Sequence, residues 1–566
     1  MVRFGLATAS SAVLAAAAAP PPHFLVFFVD DIGMNQLNHG DPRLYGYSGD
    51  NGTIATPHIR ALAGEGLTFQ HWYSSFHYCS PSRGSMMTGR LPVRLGIGIP
   101  PCDYAPHAYP PEQSPMCNGV FTAESVGGLP LNETTTAEAL RGAGYATGMV
   151  GKWHLGQRPE YLPGSRGFEE YLGVPFSQDM GTSFWKPTPH GGGEFQPTPL
   201  PLLNGSSGAI VEQPVALDGL VDKYVEATAS FIARHSAAPN ARPWYMYVSF
   251  NHVHAPNSCA PGFCGSSARG PIGDAVQEVD AAVGRIMGAL AAAGQDENTL
   301  VLLTSDNGAP LGKPDGSGPS DFFGNLPLRG GKAQTWEGGF REPGIARWTG
   351  VIAPGTVNTR DIASTLDVHP TLLGLAGVPP PSDGRAIDGR DLMPLLRADA
   401  GATGHACYFM YRAAAAVNAT GELFAVRCGE HKAYYATMGV APPAPYKNGR
   451  HDPPLLFNLS ADPGENVPLS AGAEYAAAMA TINAAKAAHL ATITPVPDQN
   501  GRGSSSAYAL CSVPGTKPNC TLNPENWAPA PTCDSAACLK ANPNFKARCG
   551  KKTATLDTRD EGLAEV

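Results

Sequence analysis

The stretch HFLVFFVDDIG, residues 23–33, decides the fold. An unbroken apolar run of this length, rich in Phe and Val, reads as a strand buried on both faces of a parallel sheet. Three later runs share its character: YATGMV (145–150), WYMYVSF (244–250) and TLVLLTS (299–305). Helical patterns lie between them. TPHIRALAGEG (56–66) has a Thr at its start and a Gly stop, NETTTAEALRGAG (132–144) places acid early and Gly late, and GDAVQEVDAAVGRIMGALAAAG (273–294) is long and periodic. Strand and helix alternation predicts an α/β fold. Each strand ends in residues that carry chemistry: Asp30-Asp31, then Gly151-Lys152-Trp153-His154, then Asn251-His252-Val253-His254, then Asp306-Asn307-Gly308. Ligands of open α/β sheets bind outside the carboxyl ends of the strands, so four separate segments deliver acids, amides, histidines and a lysine to one edge.

The chain has 566 residues, enough for a large domain with one or two smaller units. It is 43% hydrophobic and 15% charged, with net charge -9 and no basic tract, which excludes nucleic acid as the expected partner. Gly (66) and Pro (54) are abundant, so much of the chain is expected to be loop. The start, MVRFGLATASSAVLAAAAAPPPH, has the basic, apolar and small-residue order of a secretory signal peptide over residues 1–20; its Ala and Ser content argues against a membrane anchor. No later stretch is long and apolar enough for a membrane helix. Sequons at Asn51, Asn132, Asn204, Asn418, Asn458 and Asn519 and twelve cysteines fit an oxidising compartment. Cys102 and Cys117 bracket a Pro-rich loop, Cys259 and Cys264 bracket APGF, and Cys407 and Cys428 sit where two strands are expected to pair; connectivity does not follow from sequence. Without Cys79, eleven cysteines remain, an odd number.

After about residue 380 the character changes. ACYFMYR, LFAVRCG and KAYYATMG read as short antiparallel strands, PDQNGRGSSSAYA as a linker, and the tail with Cys511, Cys520, Cys533, Cys538 and Cys549 as a disulfide-held unit. The expected organisation is a signal peptide (1–20), a catalytic domain (21–400), a smaller antiparallel-sheet domain (401–500), and a linker with a Cys-rich tail (501–566).

Each chemical element is weak alone. An Asp pair after a strand is commonly a turn or cap, Asp-Asn-Gly is a turn signal, and His-x-His is commonly a surface pair. Together, Asp30, Asp31, Asp306 and Asn307 make an all-oxygen set that suits a hard cation, calcium or magnesium, rather than zinc. A neutral thiol is a poor partner for such a cation. Yet Cys79 stands in the deliberate setting CSPSRGSMMTGR, residues 79–90.

With these motifs the chain resembles the type I sulfatases, and among them the arylsulfatase A branch. The resemblance rests on Cys79, Pro81, Arg83, Thr88, Gly89 and Arg90, on GYATGMVGKWH (144–154), and on FFVDDIG, PLNETTTAEALRGAGY, GVPFSQD, TSDNGAP, LRGGKAQTWEGGFREP and LLFNLSADPGEN. It runs from about residue 23 to about 470 and fades in the tail. It implies an alkaline-phosphatase-like α/β sandwich with a large, mostly parallel sheet and a smaller C-terminal antiparallel sheet. It also implies hydrolysis of a sulfate monoester, of an aryl group, a sulfolipid or a carbohydrate. Residue 79 is then expected as Cα-formylglycine, made by a formylglycine-generating enzyme. The hydrated aldehyde offers one oxygen to attack sulfur and a second to expel sulfate, which a plain alcohol lacks.

Roles follow from the resemblance position by position. Asp30, Asp31, Asp306 and Asn307 match the ligands of one calcium ion, with residue 79 as a further contact. Arg83 matches the residue that steadies the formylglycine oxygens. Lys152 and Lys332 match lysines that hold sulfate oxygens, and Ser177 a serine that touches sulfate. His154 matches a base and His254 a group beside the leaving oxygen, suited to act as acid. His252 reads as a supporting neighbour. Gln178 stands where arylsulfatase A has a histidine, His77-Tyr78 replace smaller residues before the motif, and residues 100–121 look like an insertion; these departures bear on the substrate. The rival readings are a phosphatase or phosphonate monoester hydrolase on the same fold, and a non-catalytic sulfated-glycan binder should Cys79 stay a thiol. The expected location is the secretory pathway, secreted or lysosomal/vacuolar, and a homo-oligomeric state is left open.

Overall fold

The computed structural model describes residues 20–37, 54–98, 119–123, 125–181, 200–237, 241–311, 324–381, 383–412, 422–440 and 442–502. Residues 1–19 of the stretch expected to be a signal peptide, the loop between Cys102 and Cys117, and the Cys-rich tail lie outside the described residues.

The strands, in chain order, are β1 (His23–Val29), β2 (Leu67–Phe69), β3 (Trp72–Tyr73), β4 (Ala146–Lys152), β5 (Glu170–Val174), β6 (Leu202–Asn204), β7 (Ala209–Glu212), β8 (Trp244–Ser249), β9 (Thr299–Ser305), β10 (Gly344–Arg347), β11 (Thr356–Asn358), β12 (Ala363–Ser364), β13 (Cys407–Arg412), β14 (Glu422–Cys428), β15 (His431–Thr437) and β16 (Gly449–Asn458). Ten of them form one sheet in the order β11-β2-β10-β9-β1-β8-β4-β5-β6-β7. Its centre, β9, β1, β8, β4 and β5, is parallel, and β10, β6 and β7 join antiparallel. The four apolar runs are thus four adjacent strands.

The unbroken apolar run has a two-sided explanation. Leu25, Phe27 and Val29 enter one core and Phe24, Val26 and Phe28 the other, so both faces of β1 are covered. Helices Leu220–Ser236 and Gly270–Ala292 pack on the first face. Cys79–Thr88, Thr136–Gly142 and Val368–Leu375 pack on the second. Truncating Phe27 to Ala in such a core costs about 3–5 kcal/mol. Thr136–Gly142 starts later than its sequence pattern, at a capping box in which Thr135 and Glu138 satisfy each other's backbone N–H groups.

The smaller sheet is antiparallel, β13-β14-β15-β16. The sequence pattern shows three of its strands; β16 carries Pro453-Pro454 and lies at the edge, where a missing N–H costs no ladder bond. Helix Ala473–Leu490 covers this sheet in a third core that also takes in Phe76, Trp336 and Phe340. Disulfides join Cys259 to Cys264 and Cys407 to Cys428. The stretch expected to be linker starts docked: Gln499 N–H donates to Gly96 O (2.8 Å), Asn500 Oδ1 accepts from Gly98 N–H (2.9 Å), and Arg502 donates to the Tyr161 hydroxyl (2.8 Å). No helix among the described residues is long and apolar enough to cross a membrane.

Candidate functional site

The carboxyl ends of β1, β9 and β4 converge where the helix Cys79–Thr88 begins. Backbone strain concentrates here: Asp31 (φ 62°), His154 (φ 60°) and Ala333 (φ 75°) are non-glycine residues in the left-handed region. At the end of β4, a Cβ on Gly151 would lie 1.7 Å from the Ser249 carbonyl oxygen, so only glycine lets the strand pass there.

Cys79 is the first residue of its helix, 2% exposed, and is the free cysteine among the described residues. Its Sγ lies 3.6 Å from Asp30 Oδ1. Burial pushes the thiol pKa far up despite Lys152 and Lys332, so it stays protonated. Arg83, one turn on, is fixed from three sides. Nε and Nη2 donate to Asp306 Oδ2 (3.1 and 2.8 Å), and Nη1 donates to Lys152 O (3.0 Å) and Ser249 Oγ (2.6 Å). Lys152 Nζ donates to Asp30 Oδ2 (2.5 Å) and Ser177 Oγ (3.1 Å). Lys332 Nζ donates to Asp31 Oδ2 (2.8 Å), and its loop is pinned by Ala333 N–H on His77 O (3.0 Å). With 9% of its side chain exposed, Lys332 is the cation nearest the surface.

The charges in this cluster are unevenly settled. Burial raises the Asp30 pKa, but Lys152, Arg83, His254 and Lys332 outweigh it and hold the carboxyl well below its usual range. Asp306 is pushed up to about 7 by burial and by the Asp30 charge, with Arg83 only partly compensating. Asn307 Nδ2 donates to Asp31 Oδ1 (2.7 Å), while its buried Oδ1 has no partner. Oxygens of Asp30 and Asp306 lie within 4.8 Å of each other and of Cys79 Sγ. An orphaned amide oxygen beside two crowded carboxylates fits a hard divalent cation, whose charge would relieve the repulsion.

The two histidines are held differently. His154 Nε2 faces Phe121 O at 2.8 Å, which leaves Nδ1 buried and unpartnered. Burial, then Lys152 and Arg83, hold its pKa well below the usual value, so the ring is neutral and Nδ1 carries a lone pair. His254 Nδ1 faces Ala255 O (2.8 Å), and its Nε2 points at Asp31 Oδ2 (3.6 Å). His252, two residues earlier, turns away to Glu278 (3.4 Å).

All eleven residues expected to form the site thus fall in one cluster. Two supports, Ser249 and Asp179, escaped sequence reasoning, and Asn251, read there as a strand-end amide, has a role the sequence did not show. Ser249 binds Arg83 and accompanies it to Lys152 O; its only signal is a hydroxyl inside an apolar run. Asp179 Oδ1 stands 3.9 Å from His254 Nδ1. Asn251 donates to Gln178 Oε1.

The Sulfatase family profile matches residues 22–378, and the profile of the C-terminal region of aryl-sulfatase matches 403–523. Human arylsulfatase A is 39% identical over 518 residues, 88% of this chain and 94% of its own. Rat steryl-sulfatase is 34% identical, over 84% of this chain and 90% of its own. The crystal structure of PsFucS1 sulfatase from Pseudoalteromonas sp. superposes with a TM-score of 0.66 at 30% identity, covering 83% of this chain and 90% of that one.

Proposed function

Since the chain belongs to the sulfatase family and is a sulfuric ester hydrolase, we propose that it cleaves a sulfate monoester with residue 79 as formylglycine and one calcium ion held by Asp30, Asp31, Asp306 and Asn307. The observation that carries this reading is Cys79 itself. As a thiol it is buried, protonated and set among carboxylates and cations, an arrangement that gives sulfur no task. When present, the hydrated aldehyde supplies one oxygen to attack sulfur and another to expel sulfate, and calcium supplies positive charge beside them.

The chain's own groups do the rest. Arg83, immobilised by Asp306 and Ser249, holds the oxygens at residue 79 without reorganising. Lys152 and Lys332 present ammonium groups to the sulfuryl oxygens as the ester bond lengthens, and Ser177, bonded to Lys152, adds a hydroxyl there. His154 takes a proton at Nδ1, the nitrogen the Phe121 carbonyl leaves bare. His254 gives a proton from Nε2 to the departing oxygen. The Ala255 carbonyl keeps the proton on Nδ1, so the ring returns to one defined neutral tautomer. The substrate is an aryl, lipid or carbohydrate sulfate, and maturation calls for a formylglycine-generating enzyme in the secretory pathway.

Two measurements test this. The tryptic peptide containing residue 79 has the mass of an aldehyde in active enzyme; a thiol mass in fully active enzyme overturns the reading. Cys79→Ser keeps one hydroxyl but not a second oxygen on the same carbon. It completes at most one turnover and retains sulfate on Ser, seen by intact mass; sustained turnover refutes the aldehyde chemistry.

A further inference from the structure

Gln178 is 1% exposed, and its side-chain amide is spent on one segment of the chain. Nε2 donates to His254 O (2.5 Å) and to Pro256 O (3.0 Å). Oε1 accepts from Asn251 Nδ2. One planar amide therefore ties three points of the segment 251–256, before, at and after His254. Its neighbours face the same centre: Ser177 Oγ meets Lys152 Nζ at 3.1 Å, and Asp179 Oδ1 stands 3.9 Å from His254 Nδ1. A side chain with both donors and its acceptor engaged has little left for substrate. These bonds therefore bear on His254 rather than on substrate contact.

We propose that Gln178 is a positioning residue: with Asn251 it clamps the backbone around His254 and so fixes where Nε2 meets the leaving oxygen. This rests on the reading of His254 as proton donor. The segment has left β8 at Ser249; backbone bonds still tie it to the end of β1 as far as Val253, where Asp30 N–H donates to His252 O (2.9 Å) and Val253 N–H donates to Asp30 O (2.7 Å), but His254 itself lies beyond them. Further along, Asn257 Nδ2 donates to Val253 O (2.7 Å), a local bond that stiffens the turn without tying it to the rest of the protein. The link across to the 177–179 turn is the Gln178 amide. Misplacing a reacting group by about 1 Å costs on the order of 100-fold in rate. That penalty falls on reactions in which proton donation limits the rate.

The test uses the mature enzyme and sulfates of graded leaving-group acidity, from nitrophenyl sulfate to an alkyl sulfate. Gln178→Ala lowers kcat for the alkyl ester by about 100-fold and for the nitrophenyl ester by only a few-fold, with KM changed less than about threefold. Gln178→His, able to reach one of the two carbonyls with its single ring donor, falls between. Asn251→Ala, which cuts the other half of the clamp, steepens the leaving-group dependence in the same direction and serves should the Gln178 variants fold poorly. His254→Ala is measured alongside. A flat leaving-group profile in the Gln178 and Asn251 variants beside a steep one in His254→Ala overturns the clamp alone. Flat profiles in all of them overturn the acid role of His254 and the clamp with it. A rise in KM with kcat preserved shows substrate contact and overturns the positioning role.

Discussion

Two buried charge clusters can be set side by side. One lies at the carboxyl edge of the large sheet: Asp30, Asp31 and Asp306 with Arg83, Lys152 and Lys332. The other lies where the small sheet meets the large domain: Glu337 and Glu465 with Lys432, Arg427, Tyr73 and Tyr434. The residue types are alike. In the second cluster every carboxylate oxygen of Glu337 and Glu465 is used. Glu337 accepts from Tyr73 (2.6 Å) and Lys432 (2.8 Å); Glu465 accepts from the Glu337 N–H (2.9 Å) and from Tyr434. Lys432 also donates to Thr335 O (3.1 Å). In the first cluster Asn307 Oδ1 and His154 Nδ1 have no partner, Asp306 is crowded by Asp30, and a thiol occupies the centre. A closed network of this kind holds two parts of a protein together; one with acceptors left over is arranged for something that binds.

Asp306→Ala gives the largest expected effect. Activity falls by at least about 1,000-fold, since the change removes a proposed metal ligand and the anchor of Arg83. Stability falls less than in Glu337→Ala, because Arg83 keeps Asp30 at 3.4 Å and the repulsion between Asp30 and Asp306 is relieved. Strong residual turnover breaks the contrast. Glu337→Ala gives the mirror image. Leaving Lys432 buried and under-compensated costs about 3–5 kcal/mol of stability in denaturant titration, with kcat per folded molecule retained. Next in size, calcium at about a hundred times its Kd stabilises the protein by about 2.7 kcal/mol, EGTA reverses this, and Asp306→Ala abolishes it; an equal gain in that variant places the ion elsewhere. The smallest effect concerns Glu465, whose pKa burial and Glu337 push up to about 7. The folded protein then holds a proton that the unfolded chain loses near pH 4.3, so this contribution is full below that pH and fades as pH rises through about 7. Glu465→Gln removes that slope, at most about 1.4 kcal/mol per pH unit within the window, in melting temperatures taken from pH 4 to 8.

Much of the first cluster was legible because its residues sit directly after apolar runs, and a buried parallel strand can be read from such a run. The limits are equally specific. His252 and His254 are two apart, which in a strand puts both on one face; β8 ends at Ser249, the chain turns, and only His254 reaches Asp31. Lys332 meets Asp31 across 301 positions of sequence, so resemblance and not periodicity pointed to it. β16 was hidden by Pro453-Pro454, because edge placement depends on which strand pairs with which. Gln178 was visible as a departure, but what its amide holds is set by a turn and a loop that local sequence does not bring together.

The strand order also sets a clock. Cys79 is enclosed by Asp306 and Lys332, which leave the ribosome long after it, and β1 cannot be flanked on both sides until β9 has been made. Synthesis at about 5–20 residues per second separates residue 79 from residue 332 by roughly 13–50 s. Throughout that interval the CSPSR segment has no finished pocket to fold into. A modifying enzyme of the kind proposed above, were it to read this segment as an extended peptide, would have to act before the sheet closes, because closure leaves the residue 2% exposed. The topology that assembles the site from distant parts of the chain is thus also what postpones its closure.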